Sequence, residues 1–149
     1  MAAPIETVAS SLGIKLKPQQ LEILQSLLDW KDCMAVLPTG FGKSLPYQLF
    51  PLIQRERGRN GIVLVCCPLI SLMKDQVERA NAINGVTAAY KGQGLDREIL
   101  SGKIDIVFAS PESLLGDKLM NIFTRKHFEN GLVTLENCDP SFQMYLYLQ

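Results

Sequence analysis

The stretch LPTGFGKS, residues 37–44, places two glycines, a lysine and a hydroxyl close together. Gly40 and Gly42 allow the backbone to curl with its N–H groups turned inward. Lys43 can reach the β and γ phosphates of a nucleotide, and the hydroxyl of Ser44 is placed to ligate Mg²⁺. The stretch predicts a phosphate-binding loop, and a purely structural glycine-rich turn is the alternative.

The elements that must position this loop follow from the apolar pattern. Strands are predicted at 33–37, 61–67, 87–90, 104–109 and 132–135, and helices at 18–30, 43–55, 69–82, 95–101 and 112–126. The strands are mostly continuous apolar runs, as expected when helices cover both faces of a parallel sheet. Pro51 predicts that the second helix kinks or ends there. The order predicts an α/β domain whose loop lies between a strand and a helix N-terminus, a favourable place for an anion.

Composition limits the partners and the compartment. Lys plus Arg and Asp plus Glu are 15 each, so any contact with nucleic acid must be local. No apolar run approaches the roughly 18 residues of a membrane helix, and the N-terminus lacks a signal-peptide pattern, so we expect a protein that is not secreted. The four cysteines form no CxxC pair and there is one histidine. Zinc is not expected, and buried reduced thiols in a cytosolic or nuclear protein are predicted.

The segment VLPTGFGKSLPYQ resembles the phosphate loop of RecQ-like DNA helicases, a family of the DEAD/DEAH-box group in superfamily 2. The strict signature GxxxxGK[ST] has glycine where this chain has Leu37, but a bulky residue is common there in the family. The resemblance implies an ATP-dependent 3′–5′ DNA helicase and a P-loop, RecA-like parallel sheet with helices on both faces. It also implies that ATP and Mg²⁺ are the cofactors, with the metal on Ser44. The implied nucleotide-binding residues of this loop are Thr39, Gly40, Phe41, Gly42, Lys43 and Ser44.

Upstream, LKPQQLEIL resembles the family's adenine-reading motif. The resemblance implies that Gln20 binds the adenine edge, since a side-chain amide offers a donor and an acceptor together. Lys17 is the implied basic residue of the motif and stands where the family usually has arginine. A planar stacking group is therefore lost at that position.

Two later segments resemble the family's motifs Ia and Ib: PLISLMKDQV at 68–77 and ASPESLL at 109–115. Each follows a predicted strand, so each belongs to the carboxyl edge of the sheet, where open α/β folds bind ligands. From residue chemistry alone, these segments are capped helices with a solvated face. The resemblance implies instead that they hold a DNA backbone without reading its sequence. The implied DNA-binding residues are Ser71, Lys74, Gln76 and Ser110, with Glu112 serving loop geometry.

The resemblance ends near residue 135, which divides the chain into a partial helicase ATP-binding domain at 1–135 and a divergent tail at 136–149. The family would continue with Asp-Glu-Ala-His, whereas this chain reads ENCDPSFQMYLYLQ. Glu136 and Asp139 do not reproduce the adjacent acidic pair that holds Mg²⁺ and orients the attacking water. The chain is therefore expected to be an amino-terminal portion of a RecQ-like helicase, truncated before this motif, that binds ATP, Mg²⁺ and DNA. A non-catalytic nucleotide- or DNA-binding module is the alternative. The expected location is the nucleus, if the source is eukaryotic, or otherwise the cytoplasm.

The resemblance also predicts a gap in the sheet. In RecA-like sheets the strand between the phosphate-loop strand and the next motif's strand comes from later sequence. Strands 33–37 and 132–135 are therefore expected to flank an open slot, which would leave their backbone groups unpaired. The tail SFQMYLYLQ has strand-like residues that could fill the slot, but an open, marginally stable sheet is the expectation.

Overall fold

The computed structural model describes residues 2–29, 31, 33–36, 41–59, 61–67, 70–116, 118, 131–136 and 143–148. Its helices are α1 (Ala2–Ser11), α2 (Pro18–Leu28), α3 (Leu45–Glu56), α4 (Ile70–Asn81), α5 (Asp96–Leu100) and α6 (Pro111–Gly116). Its strands are β1 (Cys33–Val36), β2 (Ile62–Cys66), β3 (Ala88–Tyr90), β4 (Ile106–Ala109), β5 (Gly131–Glu136) and β6 (Gln143–Leu148). No helix in these ranges is long and apolar enough to cross a membrane.

The strands form one sheet in the order β1-β6-β5-β2-β4-β3. The pairs β5–β2, β2–β4 and β4–β3 are parallel. Helices connect β1 to β2, β2 to β3 and β3 to β4, as crossovers between parallel strands of one sheet require. The predicted α/β, RecA-like class is confirmed.

Apolar side chains leave the sheet on both faces. In β2, Val63 and Val65 join the larger core under α1 to α4, whereas Leu64 joins a smaller core that contains Ile99 of α5. The other strands of this region alternate in the same way, with Phe108 of β4 among the fully buried side chains of the larger core. Burial on both faces explains why these strands read as continuous apolar runs rather than as alternating ones.

Two features of the helices differ from the sequence-based expectation. Helix α3 continues through Pro51 to Glu56, so of the two expected effects, a kink or an end, Pro51 does not produce the end. Proline removes one backbone donor, but Phe50 and Ile53 beside it are completely buried, and that burial offsets the loss. Helix α1 was not predicted, although Ile5 and Val8 pack into the larger core.

The expected open slot in the sheet is also wrong, because β6 occupies it. Strand β6 pairs antiparallel with β1 on one side and with β5 on the other. Only six residues separate β5 from β6, which suffices for an antiparallel neighbour but not for a parallel crossover. The tail, rich in tyrosine and leucine, is therefore the strand that joins β1 to the rest of the sheet.

Candidate functional site: the carboxyl edge of the sheet

Three connections that carry predicted site residues leave the same edge of the sheet. The phosphate loop follows β1, α4 follows β2, and α6 follows β4. Cys66 and Ala109, the last residues of β2 and β4, are register partners, so the starts of α4 and α6 lie side by side. The fold thus brings the two predicted DNA segments together, while β5 and β6 stand between them and the phosphate-loop strand.

The described part of the phosphate loop has the backbone that a nucleotide cradle needs. Gly42 has φ +85°, a conformation that side chains disfavour, and a Cβ there would lie 2.6 Å from Nε2 of Gln20. Only glycine fits both the conformation and the close approach. The sequence argument for Gly42 therefore has a physical basis, whereas Thr39 and Gly40 lie outside the described residues.

Lys43 and Ser44 lie where the loop becomes helix α3. Ser44 is the N-cap residue, and its carbonyl accepts the hydrogen bond from the backbone N–H of Gln48 at 3.0 Å. Lys43 is 8% exposed and Ser44 is half-buried. The N-terminal N–H groups of a twelve-residue helix with its positive dipole end follow directly, an arrangement suited to a phosphate. The residues present therefore fit a bound nucleotide phosphate.

The start of α2 is hydrogen-bonded to this loop. Nε2 of Gln20 donates to the carbonyl of Gly42 at 2.9 Å and, less closely, to that of Phe41 at 3.4 Å. Oε1 of the same amide accepts the backbone N–H of Lys17 at 2.9 Å. Gln20, an amide only 3% exposed, thus joins the predicted adenine-reading segment to the phosphate loop.

Lys17 makes a second connection to the same loop. Its Nζ donates to the carbonyl of Phe41 at 3.0 Å and lies 4.2 Å from the centre of the Phe41 ring. An ammonium at this distance from an aromatic face is attracted to the ring quadrupole, by about 0.5–1 kcal/mol at exposed sites. The sequence contained both residues, but nothing in their spacing of 24 positions indicated this pairing.

The predicted DNA-binding residues differ in how they are placed. Ser71 and Lys74 are exposed on α4 and, three positions apart, share one side of that helix. Ser110 is half-buried; its Oγ donates to Oγ of Ser113 at 3.1 Å and accepts the Ser113 backbone N–H at 3.2 Å, capping α6. The nearby Glu112 is exposed. Ser71 and Lys74 thus belong to the helix that follows β2, and Ser110 and Glu112 to the segment that follows β4.

Gln76 is placed differently, inside the protein. It is 8% exposed, and its Oε1 accepts a hydrogen bond from the Tyr47 hydroxyl at 3.2 Å. Tyr47 belongs to α3 and is completely buried, with its ring meeting Phe108 of β4 edge-on at 6.4 Å between centroids. Sequence reasoning did not single out Tyr47, although a buried tyrosine hydroxyl generally needs a polar partner.

The described cysteines, Cys33, Cys66 and Cys67, form no disulfide; Cys66 and Cys67 are buried and Cys33 is half-buried. Burial raises the pKa of the Cys66 thiol, and the carboxylate of Glu112 adds to this. Burial, with a contribution from Glu22, likewise raises the pKa of Cys33. Within the described residues, no group of three or more His, Cys, Asp and Glu side chains could hold a metal ion.

Comparison with known proteins agrees with the motifs. Residues 17–139 match the family described as DEAD/DEAH box helicase. The chain is 36% identical over 105 residues to the ATP-dependent helicase SGS1 of Saccharomyces cerevisiae, covering 66% of this chain and 7% of that protein. It is 33% identical over 113 residues to the ATP-dependent DNA helicase RecQ of Haemophilus influenzae, covering 70% of this chain and 17% of that protein. It is 32% identical over 130 residues to the ATP-dependent DNA helicase Q1 of Rattus norvegicus, covering 80% and 20% respectively. The chain therefore spans a fifth or less of the length of these relatives.

Proposed function

The chain belongs to the DEAD/DEAH-box helicase family and is RecQ-like within it, and from that premise we propose that it binds Mg·ATP at the phosphate loop and a DNA backbone at the paired ends of β2 and β4. The observation that carries the proposal is the set of hydrogen bonds between the phosphate loop and the start of α2. Gln20 and Lys17, the residues of the adenine-reading segment, contact the carbonyls of Gly42 and Phe41. Base-reading and phosphate-binding residues thus form one connected site.

Lys43 and the N–H groups at the start of α3 would hold the phosphates, and Ser44 would ligate Mg²⁺. The bound metal would neutralise charge on the phosphates. The Oε1 atom of Gln20 has a second lone pair, which can accept the exocyclic amine of adenine. Since Gln20 is 3% exposed, a base reaches its amide only where the phosphate loop moves away from it.

DNA would be held through its backbone. Ser71 and Lys74 are exposed beside the capped start of α6, and a hydroxyl and an ammonium bind phosphate without reading bases. The balance of 15 basic and 15 acidic residues supports only local contacts, so we expect weak, sequence-independent binding. In a RecQ-like protein this binding would serve ATP-driven unwinding in the nucleus or, in a bacterial source, in the cytoplasm.

A second candidate is nucleotide and DNA binding without turnover by this chain itself. The observation that favours it is the sequence after Leu135, where Glu136 and Asp139 replace an adjacent acidic pair. In this reading residues 1–135 supply the ATP-binding part, and residues 136–149 contribute a closing strand rather than catalytic groups. Phosphate release with and without single-stranded DNA separates the two, because only the first candidate predicts hydrolysis that DNA stimulates.

The direct test of nucleotide binding is a titration with a fluorescent ATP analogue and Mg²⁺. Lys43→Ala should abolish binding, because the other residues of the loop carry no cation that could replace the ammonium. Lys31→Ala, which removes an exposed lysine before β1, is the matched control and should bind as the parent chain does. Equal affinities in the parent chain and Lys43→Ala would refute the assignment.

A further inference from the structure

Helix α3, the first helix after the phosphate loop, is in contact with both elements that carry the predicted DNA residues. Tyr47 lies four positions after Lys43, in the first turn of α3. Its hydroxyl donates to Gln76 of α4 at 3.2 Å, and its ring packs edge-on against Phe108 of β4 at 6.4 Å. One buried side chain thus contacts both α4 and β4, the elements that lead to the predicted DNA-binding residues Ser71, Lys74 and Ser110.

The partners of Tyr47 are close in sequence to two of the predicted DNA-binding residues. Gln76 lies two positions after Lys74, on the same helix. Phe108 lies two positions before Ser110, at the end of the strand that leads into α6. Tyr47 and Phe108 are fully buried and Gln76 is 8% exposed, so all three are surrounded by packed atoms.

We propose that the Tyr47–Gln76 hydrogen bond is a positioning contact that couples nucleotide binding to DNA-backbone binding. The inference rests on the function proposed above. Phosphate binding at Lys43 and the α3 N-terminus fixes the first turn of α3, and Tyr47 moves with that turn. Close-packed interiors pass on small displacements, and here the hydrogen bond joins α3 to α4 directly. Gln76 is accordingly a buried link and not a surface contact to DNA.

The expected change in the coupling between nucleotide and DNA binding follows from the strength of the Tyr47–Gln76 hydrogen bond. A neutral hydrogen bond of this kind corresponds to about a five-fold change in an equilibrium constant. Binding of one ligand alters the affinity for the other by the same factor in both directions. Loss of the hydroxyl should therefore change the mutual effect of nucleotide and DNA about five-fold, while each ligand alone binds as before.

The experiment measures the affinity of the full chain for a non-hydrolysable ATP analogue with Mg²⁺, without and with a saturating thymidine oligonucleotide. The ratio of the two affinities is the coupling factor. Tyr47→Phe keeps the ring against Phe108 and removes only the hydroxyl, and we expect its coupling factor to move about five-fold towards one. Tyr90→Phe is the matched control, since Tyr90 packs against the same core from β3, and its coupling factor should equal that of the parent chain.

A double-variant cycle distinguishes a link from a direct contact. If Gln76 acts through Tyr47, Gln76→Leu lowers the coupling as much as Tyr47→Phe does, and the double variant is no worse. If Gln76 instead touches DNA, Gln76→Leu weakens DNA binding in the absence of nucleotide, and Tyr47→Phe leaves the coupling factor unchanged. Those two results together would overturn the inference. A parent coupling factor of one would overturn it too, although nucleotide and DNA binding would stand. Failure of the parent chain to bind either ligand would remove the proposed function itself.

Discussion

Strand β6 predicts a sharp dependence of stability on the last residues of the chain. We consider a variant that ends at Glu136 and so lacks β6. Among the strands that the structure describes, in the order β1-β6-β5-β2-β4-β3, β1 meets the others only through β6. Removal of β6 therefore detaches β1 from the sheet and leaves one edge of β5 without a partner.

The expected loss of unfolding free energy follows from the register of β6 with its two neighbours. Strand β6 forms four residue pairs with β1 and five with β5, nine in all. With roughly one ladder hydrogen bond for each pair, at a net value of about 0.5–1.5 kcal/mol, the loss is on the order of 5–13 kcal/mol. Domains of this kind have a total unfolding free energy of about 5–15 kcal/mol. The shortened chain should therefore not remain folded.

The assay is urea unfolding followed by circular dichroism, with hydrogen exchange at the amides of β1. The parent chain should unfold cooperatively and protect residues 33–36, and the chain ending at Glu136 should do neither. A chain that lacks only Gln149, the residue after β6, is the control and should behave as the parent. An unchanged urea midpoint and unchanged protection of β1 in the shortened chain would refute the reasoning.

Two further predictions concern the carboxyl edge. Lys74→Ala should lower the slope of log affinity for single-stranded DNA against log salt by about 0.7, the contribution of one phosphate contact, and should weaken binding to all sequences alike. Lys103→Ala, which removes another exposed lysine, is the control. An unchanged slope for Lys74→Ala in a salt titration would exclude this contact. Because the pKa of the Cys66 thiol is raised in the folded protein, the unfolded thiol releases its proton first as pH rises. The resulting contribution to stability is complete below the ordinary thiol pKa and is lost as pH rises through the folded pKa. The unfolding free energy should therefore fall above about pH 8.5, less steeply in Glu112→Gln, and an equal slope in both proteins would show that this carboxylate does not act on the thiol.

Local sequence predicted much of the fold because its signals are themselves local. Continuous apolar runs indicated β2 and β4, and the glycine and lysine spacing indicated the loop before α3. Helix α1 and strand β6 were missed or discounted because their places depend on distant partners. Nothing near Gln143 indicates that it will pair with Val36, more than one hundred positions away.

The same distinction between local and distant signals applies to the candidate site. Residue types and motif order indicated Gln20, Lys43 and Ser44, since each belongs to a short pattern with its own chemistry. The contact of Lys17 with Phe41 and that of Tyr47 with Gln76 join separate elements, and only the folded chain brings them together. Gln76 illustrates the limit, because its motif indicated a DNA contact whereas its side chain lies in the interior.

If the start of α2 and the phosphate loop form one adenine-nucleotide site, as we propose, the chain should distinguish ATP from GTP, and the ratio of the two affinities measures this. Adenine would present an amine to Oε1 of Gln20. Guanine carries an oxygen at the equivalent position, so two acceptor oxygens would face each other. We predict that the parent chain binds Mg·ATP at least about ten-fold more tightly than Mg·GTP, and that Gln20→Ala brings the ratio close to one. Equal affinities in the parent chain, or the same preference for ATP in Gln20→Ala, would show that Gln20 does not bind adenine.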